Sequence, residues 1–306
     1  MDFECIDERF STTRRLTRTP KEPDPCFQLP NPHIPNFVGG LRTRGFYKAE
    51  GPEPIITVIT IAYNCAASIE ETMLSVLNQT YSNIEYVVID GGSTDGTLEV
   101  IRKYDHAIDY WLSEPDRGIY DAMNKGIRAS TGQWLNCLNV KDVFFSNDTI
   151  QLVADKYLKS GARFIYSDVP LRNTSLKKDD VGLHRCDHKK RVVNQQASIY
   201  RKDLHCEHGL FLVTEGITVS DVIFFSLIDQ KDYLKAEEPI AIYDLTGVSN
   251  TKASTEMRFV VDYLVNRMPK YKFLLNFHLF YYRKELEAFL VRIVRASRKA
   301  IKRLNA

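Results

Sequence analysis

The chain has no apolar stretch long enough to cross a bilayer: no window approaches the ~20 uninterrupted apolar residues of a membrane span. Its N-terminus, MDFECIDERFSTTRRLTRTP, has no apolar region of signal-peptide length, so the expectation is a protein made and kept in the cytoplasm. The six cysteines (Cys5, Cys26, Cys65, Cys137, Cys186, Cys206) form no short-spaced pair, and several lie inside apolar runs, which argues for reduced thiols rather than a secreted disulfide framework. The segments His184-x-Cys186-x-His188 and His205-Cys206-x-His208 lack the usual zinc-ligand spacings, so no zinc site is expected. No G-x-x-x-x-G-K-[ST] occurs, and G-x-G-x-x-G is absent too: in Asp90-Gly91-Gly92-Ser93-Thr94-Asp95-Gly96, Ser93 stands where the second glycine belongs. The formal net charge of +2 decides nothing about partners, nucleic acid is not among those expected, and there is no internal repeat.

What the chain does have is 306 residues, enough to bury an ample core in one large α/β domain or two small ones. Residues 1 to about 50 are broken by Pro20, Pro23, Pro25, Pro30, Pro32 and Pro35 and read as an extended arm, with residues 1 to 25 as a disordered tail. For residues 26 to 50, Phe27, Phe37, Phe46 and Tyr47 favour packing onto the domain.

Ile55 to Ala62 is a β-branched apolar run of strand length, as a parallel strand covered on both faces requires. Ser68, with Glu70 and Glu71 in the next turn, signals a helix start, and Ile69, Met73, Val76 and Leu77 recur at helical spacing. Ile84 to Asp90 is a second strand, followed by a Gly-rich polar turn and a helix from Leu98. This is the βαβ grammar of a parallel sheet whose ligands sit at the carboxyl ends of its strands. Further strands are expected at Ile108–Leu112, Trp134–Leu138, Arg163–Tyr166 and Pro239–Tyr243, and helices at Tyr120–Ala129, Asp148–Leu158 and Val219–Leu227. Residues Ser167 to Val193 dissolve into charge and read as a hairpin or flap, and the end of the chain reads helical.

Polar groups concentrate in Ser113 to Gly126 and in Gly132 to Asp142, at a density a core would not tolerate unpaired. Asp90, at a strand end before glycines that allow close backbone approach, can accept from a base N–H or a ribose hydroxyl. Asp142, at the tip of Asn139-Val140-Lys141-Asp142, can hold a hard divalent cation such as Mg²⁺ or Mn²⁺ against a diphosphate, or merely cap a loop. Asp221 opens an apolar helix, either as a first-turn acid or as a general base for an acceptor hydroxyl. From Arg283 to Arg303 eight Lys or Arg face two Glu on an amphipathic pattern, either a core helix with a solvated face or a surface for anionic lipid.

Together these residues resemble the family 2 inverting glycosyltransferases of the GT-A fold, most closely those that build bacterial exopolysaccharide and lipopolysaccharide, including colanic acid. The resemblance runs from about Gly39 to Asn250 and is most specific at Ile89–Thr97 and Ser113–Gly126. It implies a Rossmann-like, mostly parallel sheet flanked by helices over residues 51–250, with an N-terminal arm at 1–50 and a C-terminal helical extension at 251–306. It implies a donor pocket lined by Ala62, Tyr63, Asp90, Asp95, Asp116, Arg117 and Gly118, with Asn124 and Lys125 near the sugar or diphosphate. Asn139 and Lys141 flank the same pocket, Asp142 matches the metal-binding acid, and Asp221 matches the catalytic base. Gln195 and Gln196 match a H-Q-A segment, and Gly247 and Ser249 match a segment that closes over the site.

Thr246 replaces the first glycine of that closing segment, and two further departures bear on the chemistry: Lys141 replaces the first acid of the metal signature, where some relatives carry glycine, and Gln195 replaces a histidine. The implied activity is inverting transfer of a sugar from a nucleoside diphosphate donor, expected to be a UDP-sugar, to a hydroxyl of a lipid-linked saccharide at the cytoplasmic face of the inner membrane. The alternative those departures motivate is a catalytically impaired relative that binds nucleotide or glycan.

Overall fold

The computed structural model describes residues 3–21, 37–172, 182–189, 192–214 and 219–245. The chain divides into two units, Met1–Gly247 and Val248–Ala306. The second unit, with Ser249 and the basic segment expected to be an amphipathic helix, lies outside the described residues, as does Gly247.

The first part of the chain supplies strands β1 (Leu16–Thr17), β2 (Val38–Gly39), β3 (Tyr47–Lys48) and β4 (Ile56–Ala62), helix α1 (Ile69–Leu77), β5 (Ile84–Asp90), α2 (Thr97–Lys103), β6 (Tyr110–Ser113), α3 (Ile119–Ala129) and β7 (Trp134–Cys137). Then follow β8 (Val143–Phe144), α4 (Thr149–Lys156), β9 (Phe164–Tyr166), β10 (Val169–Arg172), β11 (Leu183–His184), β12 (Ser198–Arg201), α5 (Asp203–His208), α6 (Ser220–Leu227), β13 (Tyr233–Lys235) and β14 (Ala241–Asp244).

The main sheet has eight strands in the order β13-β9-β12-β7-β4-β5-β6-β2. Its centre, β7-β4-β5-β6, is parallel, while β12 runs antiparallel to both β7 and β9 and β2 antiparallel to β6. After β4 the chain adds β5 and β6 on one side and then returns with β7 on the other. This reversal leaves a crevice beyond the carboxyl ends of β4 and β7, where an open α/β sheet takes its ligands. The near-continuous apolar runs of β4 and β5 arise because helices cover both faces: Ile56, Val58, Ile59, Val87, Val88 and Ile89 are all fully buried. A smaller sheet, β11-β10-β14-β8, stands beside the main one. Within the Ser167–Val193 stretch, read as a hairpin or flap, the described residues include an antiparallel pair, Val169 opposite His184.

Over the described residues 3–21, the N-terminal segment corrects the reading of a disordered tail. Ser11–Thr13 form a buried 3-10 turn, with the Ser11 hydroxyl donating to the Val76 carbonyl at 3.1 Å and the Thr12 hydroxyl to that of Ala107 at 2.5 Å. The buried Lys48 ammonium donates to the carbonyls of Thr12 (2.8 Å) and Arg14 (2.9 Å), and β1 pairs antiparallel with β3. Polar side chains satisfying main-chain groups on distant elements hold this segment, so it lacks the apolar periodicity that marks packed chain.

Candidate active site

The crevice is built first from the turn after β5. Asp90 is fully buried and committed to the turn: one oxygen accepts the Ser93 hydroxyl, the other the Ser93 amide at 3.0 Å and the Ser113 hydroxyl at 2.6 Å. Asp95 is committed likewise, with Oδ2 accepting the Ala66 amide at 3.0 Å and Oδ1 accepting the Thr97 amide at 3.0 Å and hydroxyl at 2.5 Å, bonds that hold its carboxyl below the usual range. Asp95 laces the β4–α1 and β5–α2 loops together, and Asp90 ties its turn to the end of β6. Asn64 adds to the lacing, accepting the Thr94 amide at 2.9 Å.

Over this floor Asp116 and Tyr63 converge on Gly91. A methyl group on Gly91 would lie 2.5 Å from Asp116 Oδ2 and 3.3 Å from Tyr63 Cδ2. The glycine is therefore there for space, which the Asp116 carboxylate fills. Asp116 Oδ1 accepts the Gly118 amide at 2.7 Å, and burial raises its carboxyl above the usual range. The Tyr63 ring, at the end of β4 beyond buried Ala62, is 67% exposed and free to stack on a planar ligand. Gly118, at φ +104, turns the chain into α3. The exposed Arg117 pairs with Asp121 at 3.2 Å.

Several residues expected at ligand contact are bonded to neighbouring parts of the chain. Asn124 is buried and bonds in both directions to the main chain of Phe211. Lys125 donates to the Pro115 carbonyl at 2.9 Å and pairs with Glu114 at 2.8 Å, pinning the Asp116 loop. Gln195 directs Nε2 to Met123 Sδ at 3.3 Å, and the Gln196 carbonyl accepts Asn136 Nδ2 at 2.9 Å.

At the far end of the crevice, beyond β7, Asp142 is 3% exposed and its Oδ1 accepts the Asp244 amide at 2.8 Å. Burial pushes the Asp142 carboxyl up to about 8, and the neighbouring Asp244 carboxylate adds to the rise. Asn139 Oδ1 is buried with no hydrogen-bond partner. Asn139 Oδ1 and the Asp142 carboxylate are oxygen donors of the kind a hard divalent cation takes, while the neighbouring Asp244 carboxylate lies 4.0 Å from Arg172 Nε. Among the described residues no group of three or more His, Cys, Asp or Glu side chains gathers to hold a metal by itself. Lys141 is exposed at φ +78, its amide on the Thr72 hydroxyl at 3.0 Å and its carbonyl accepting Arg172 at 2.8 Å.

Asp221 lies in the first turn of α6, where its Oδ1 accepts the Tyr120 hydroxyl at 2.6 Å. Residues 57–216 match the sequence model of glycosyl transferase family 2. The chain belongs to that family. An uncharacterized glycosyltransferase of Mycobacterium tuberculosis is 31% identical over 222 residues, 64% of this chain and 78% of the relative. A PGL/p-HBAD biosynthesis glycosyltransferase of Mycobacterium bovis is 32% identical over 156 residues, 49% of this chain and 60% of the relative. Residues 1–349 of S. aureus TarS, solved in complex with UDP-GlcNAc, superpose with a TM-score of 0.56 at 17% identity, covering 69% of this chain and 65% of that one. The glycosyltransferase thus has the GT-A fold. Gly91, Tyr120 and Asp244 were not marked by the sequence as site residues. The partners of Gly91 and Tyr120 come from other elements, and only the glycine in Asp90-Gly91-Gly92 hinted at the close approach of Asp116.

Proposed function

We propose that this family 2 glycosyltransferase moves a sugar, with inversion, from a nucleoside diphosphate donor to a hydroxyl of a lipid-linked saccharide, with a UDP-sugar as donor. The observation that carries this reading is a carboxylate, Asp221, at the start of α6, held by Tyr120 in the first turn of α3, the helix that the Asp116 loop leads into. Asp116 and Tyr63 would take the base and ribose, and Asp221 would accept the proton of the attacking hydroxyl. Asp142, with Asn139 nearby, would hold a divalent cation, which when bound offsets charge on the leaving diphosphate.

The TarS complex with UDP-GlcNAc supports the choice of donor class, and the PGL/p-HBAD relative supports a glycolipid acceptor. In this reading residues 51–250 are the catalytic domain, and the Arg283–Arg303 segment brings it to the cytoplasmic face of the inner membrane, where its eight cations meet anionic lipid. The test is a donor screen by mass spectrometry on the purified full chain, repeated with D221N. Turnover of a UDP-sugar by the native protein and its loss in D221N are expected. UDP binding without turnover of any donor would favour a binding module instead.

A further inference from the structure

We propose that Tyr120 is a positioning residue for the general base, holding the Asp221 carboxylate in one orientation and keeping it ionised; this rests on the glycosyltransferase reading of Asp221. The geometry has four parts. The Tyr120 hydroxyl donates to Asp221 Oδ1 at 2.6 Å, across 101 residues of sequence. The main chain of Asp221 and Ser220 lies close enough to the phenol to favour its ionised form, so the hydroxyl sits against the start of α6 as well as the carboxylate. The Tyr120 ring is 5% exposed and packs on Phe211, with ring centroids 5.6 Å apart, so it has no freedom to swing away. Phe211 is itself held by Asn124, one helical turn beyond Tyr120 on α3, through bonds of 2.8 and 3.0 Å to its main chain.

The direction of the bond is fixed by the acidities of the two groups. Burial and the Asp221 charge push the Tyr120 phenol far above its ordinary range, so it stays a donor throughout the working pH range. A hydrogen bond to a carboxylate favours the charged form, the form a general base must have. Among the described residues, Cys137 on β7 and Tyr200 on β12 also feel the Asp221 charge. Burial raises both, Cys137 to about 12, so neither competes for its proton. Because α3 begins at Gly118, directly after the Asp116 loop, this contact also ties the base to the donor side of the crevice.

The deciding measurement is the carboxyl ¹³C titration of the full chain, with the Asp221 signal assigned from D221N. In Y120F, which keeps the ring on Phe211, the Asp221 titration moves up by about one unit. With the UDP-sugar found by the donor screen, kcat falls about tenfold while KM changes little, and the acid limb of the pH–rate profile moves by the same amount. A role confined to packing would lower the melting temperature and leave both titrations in place, and an unshifted Asp221 signal in Y120F overturns the proposal whatever the activity. If D221N retains turnover, the base assignment fails instead, and the titration still reports separately on the Tyr120 contact. Should Y120F not fold, D221E moves the carboxylate off Tyr120 by one methylene. A Glu signal within a few tenths of the ordinary glutamate value of about 4.3 supports the loss of a stabilising donor, and one held well below it overturns the proposal.

Discussion

Asn124 grips the main chain of Phe211 from both sides, its Nδ2 donating to the carbonyl at 2.8 Å and its Oδ1 accepting the amide at 3.0 Å. This is the geometry of a paired strand made by one side chain. Replacing Asn124 with alanine leaves two buried main-chain groups unpaired, and each such loss costs about 1–3 kcal/mol. We expect N124A to lose about 2–4 kcal/mol in urea unfolding. Its affinity for UDP, measured by calorimetry, should change less than tenfold, because the side chain supports the crevice rather than lining it.

The Gly91–Asp116 contact makes the opposite prediction. A Cβ at position 91 would sit 2.5 Å from Asp116 Oδ2, and the carboxylate must leave. G91A should keep its fold by circular dichroism and bind UDP at least about tenfold more weakly, the loss of one charge-assisted hydrogen bond. Unchanged affinity would remove Asp116 from the donor pocket.

Lys141 occupies a backbone conformation, φ +78, that glycine adopts at no steric cost. Its amide and carbonyl bonds to Thr72 and Arg172 survive any side-chain change. K141G is therefore expected to stabilise the fold by about 0.5–1 kcal/mol in urea, and a loss of stability would show that the lysine side chain contributes more than the strain costs.

His205 gives the fold a pH dependence. Its ring stacks on Phe224 with centroids 4.1 Å apart, its Nδ1 lies 3.0 Å from the Gly209 carbonyl and its Nε2 3.1 Å from the Tyr200 hydroxyl. The carbonyl can only accept, so Nδ1 carries the proton and Nε2 accepts from Tyr200. Burial lowers its pKa from 6.5 to about 4. The unfolded chain then takes up a proton before the folded one does, so this contribution is complete above about pH 6.5 and is lost as pH falls toward about 4. The loss is about 3 kcal/mol at most. Unfolding free energies measured across that window should slope less in H205Q than in the native protein; equal slopes would exclude His205 as the source.

The two acids beyond β7 bear on cation use. If Asp142 holds a divalent cation, Mn²⁺ should raise the melting temperature of the native protein and have no effect on D142N. Equal shifts in both proteins would place any bound cation elsewhere.

The sequence determined the sheet and the family. Apolar runs at Ile56–Ala62 and Ile84–Asp90 form strands whatever surrounds them, because only burial between two helical layers tolerates such runs. The strings around Asp90 and Asp116 carried the family, since they set backbone turns locally. Tertiary structure alone decided what each polar residue does. Asp90 ties its turn to β6, Asp95 laces loops, Asn124 and Lys125 brace them, and Asp142 turns inward to Asp244, because a buried polar group takes whatever partner the fold brings to it. Those partners lie far off in sequence: Tyr120 meets Asp221 across 101 residues and Asn124 meets Phe211 across 87. No local pattern encodes such pairs, so the identity of the acids was legible from the chain and the partners the fold gives them were not.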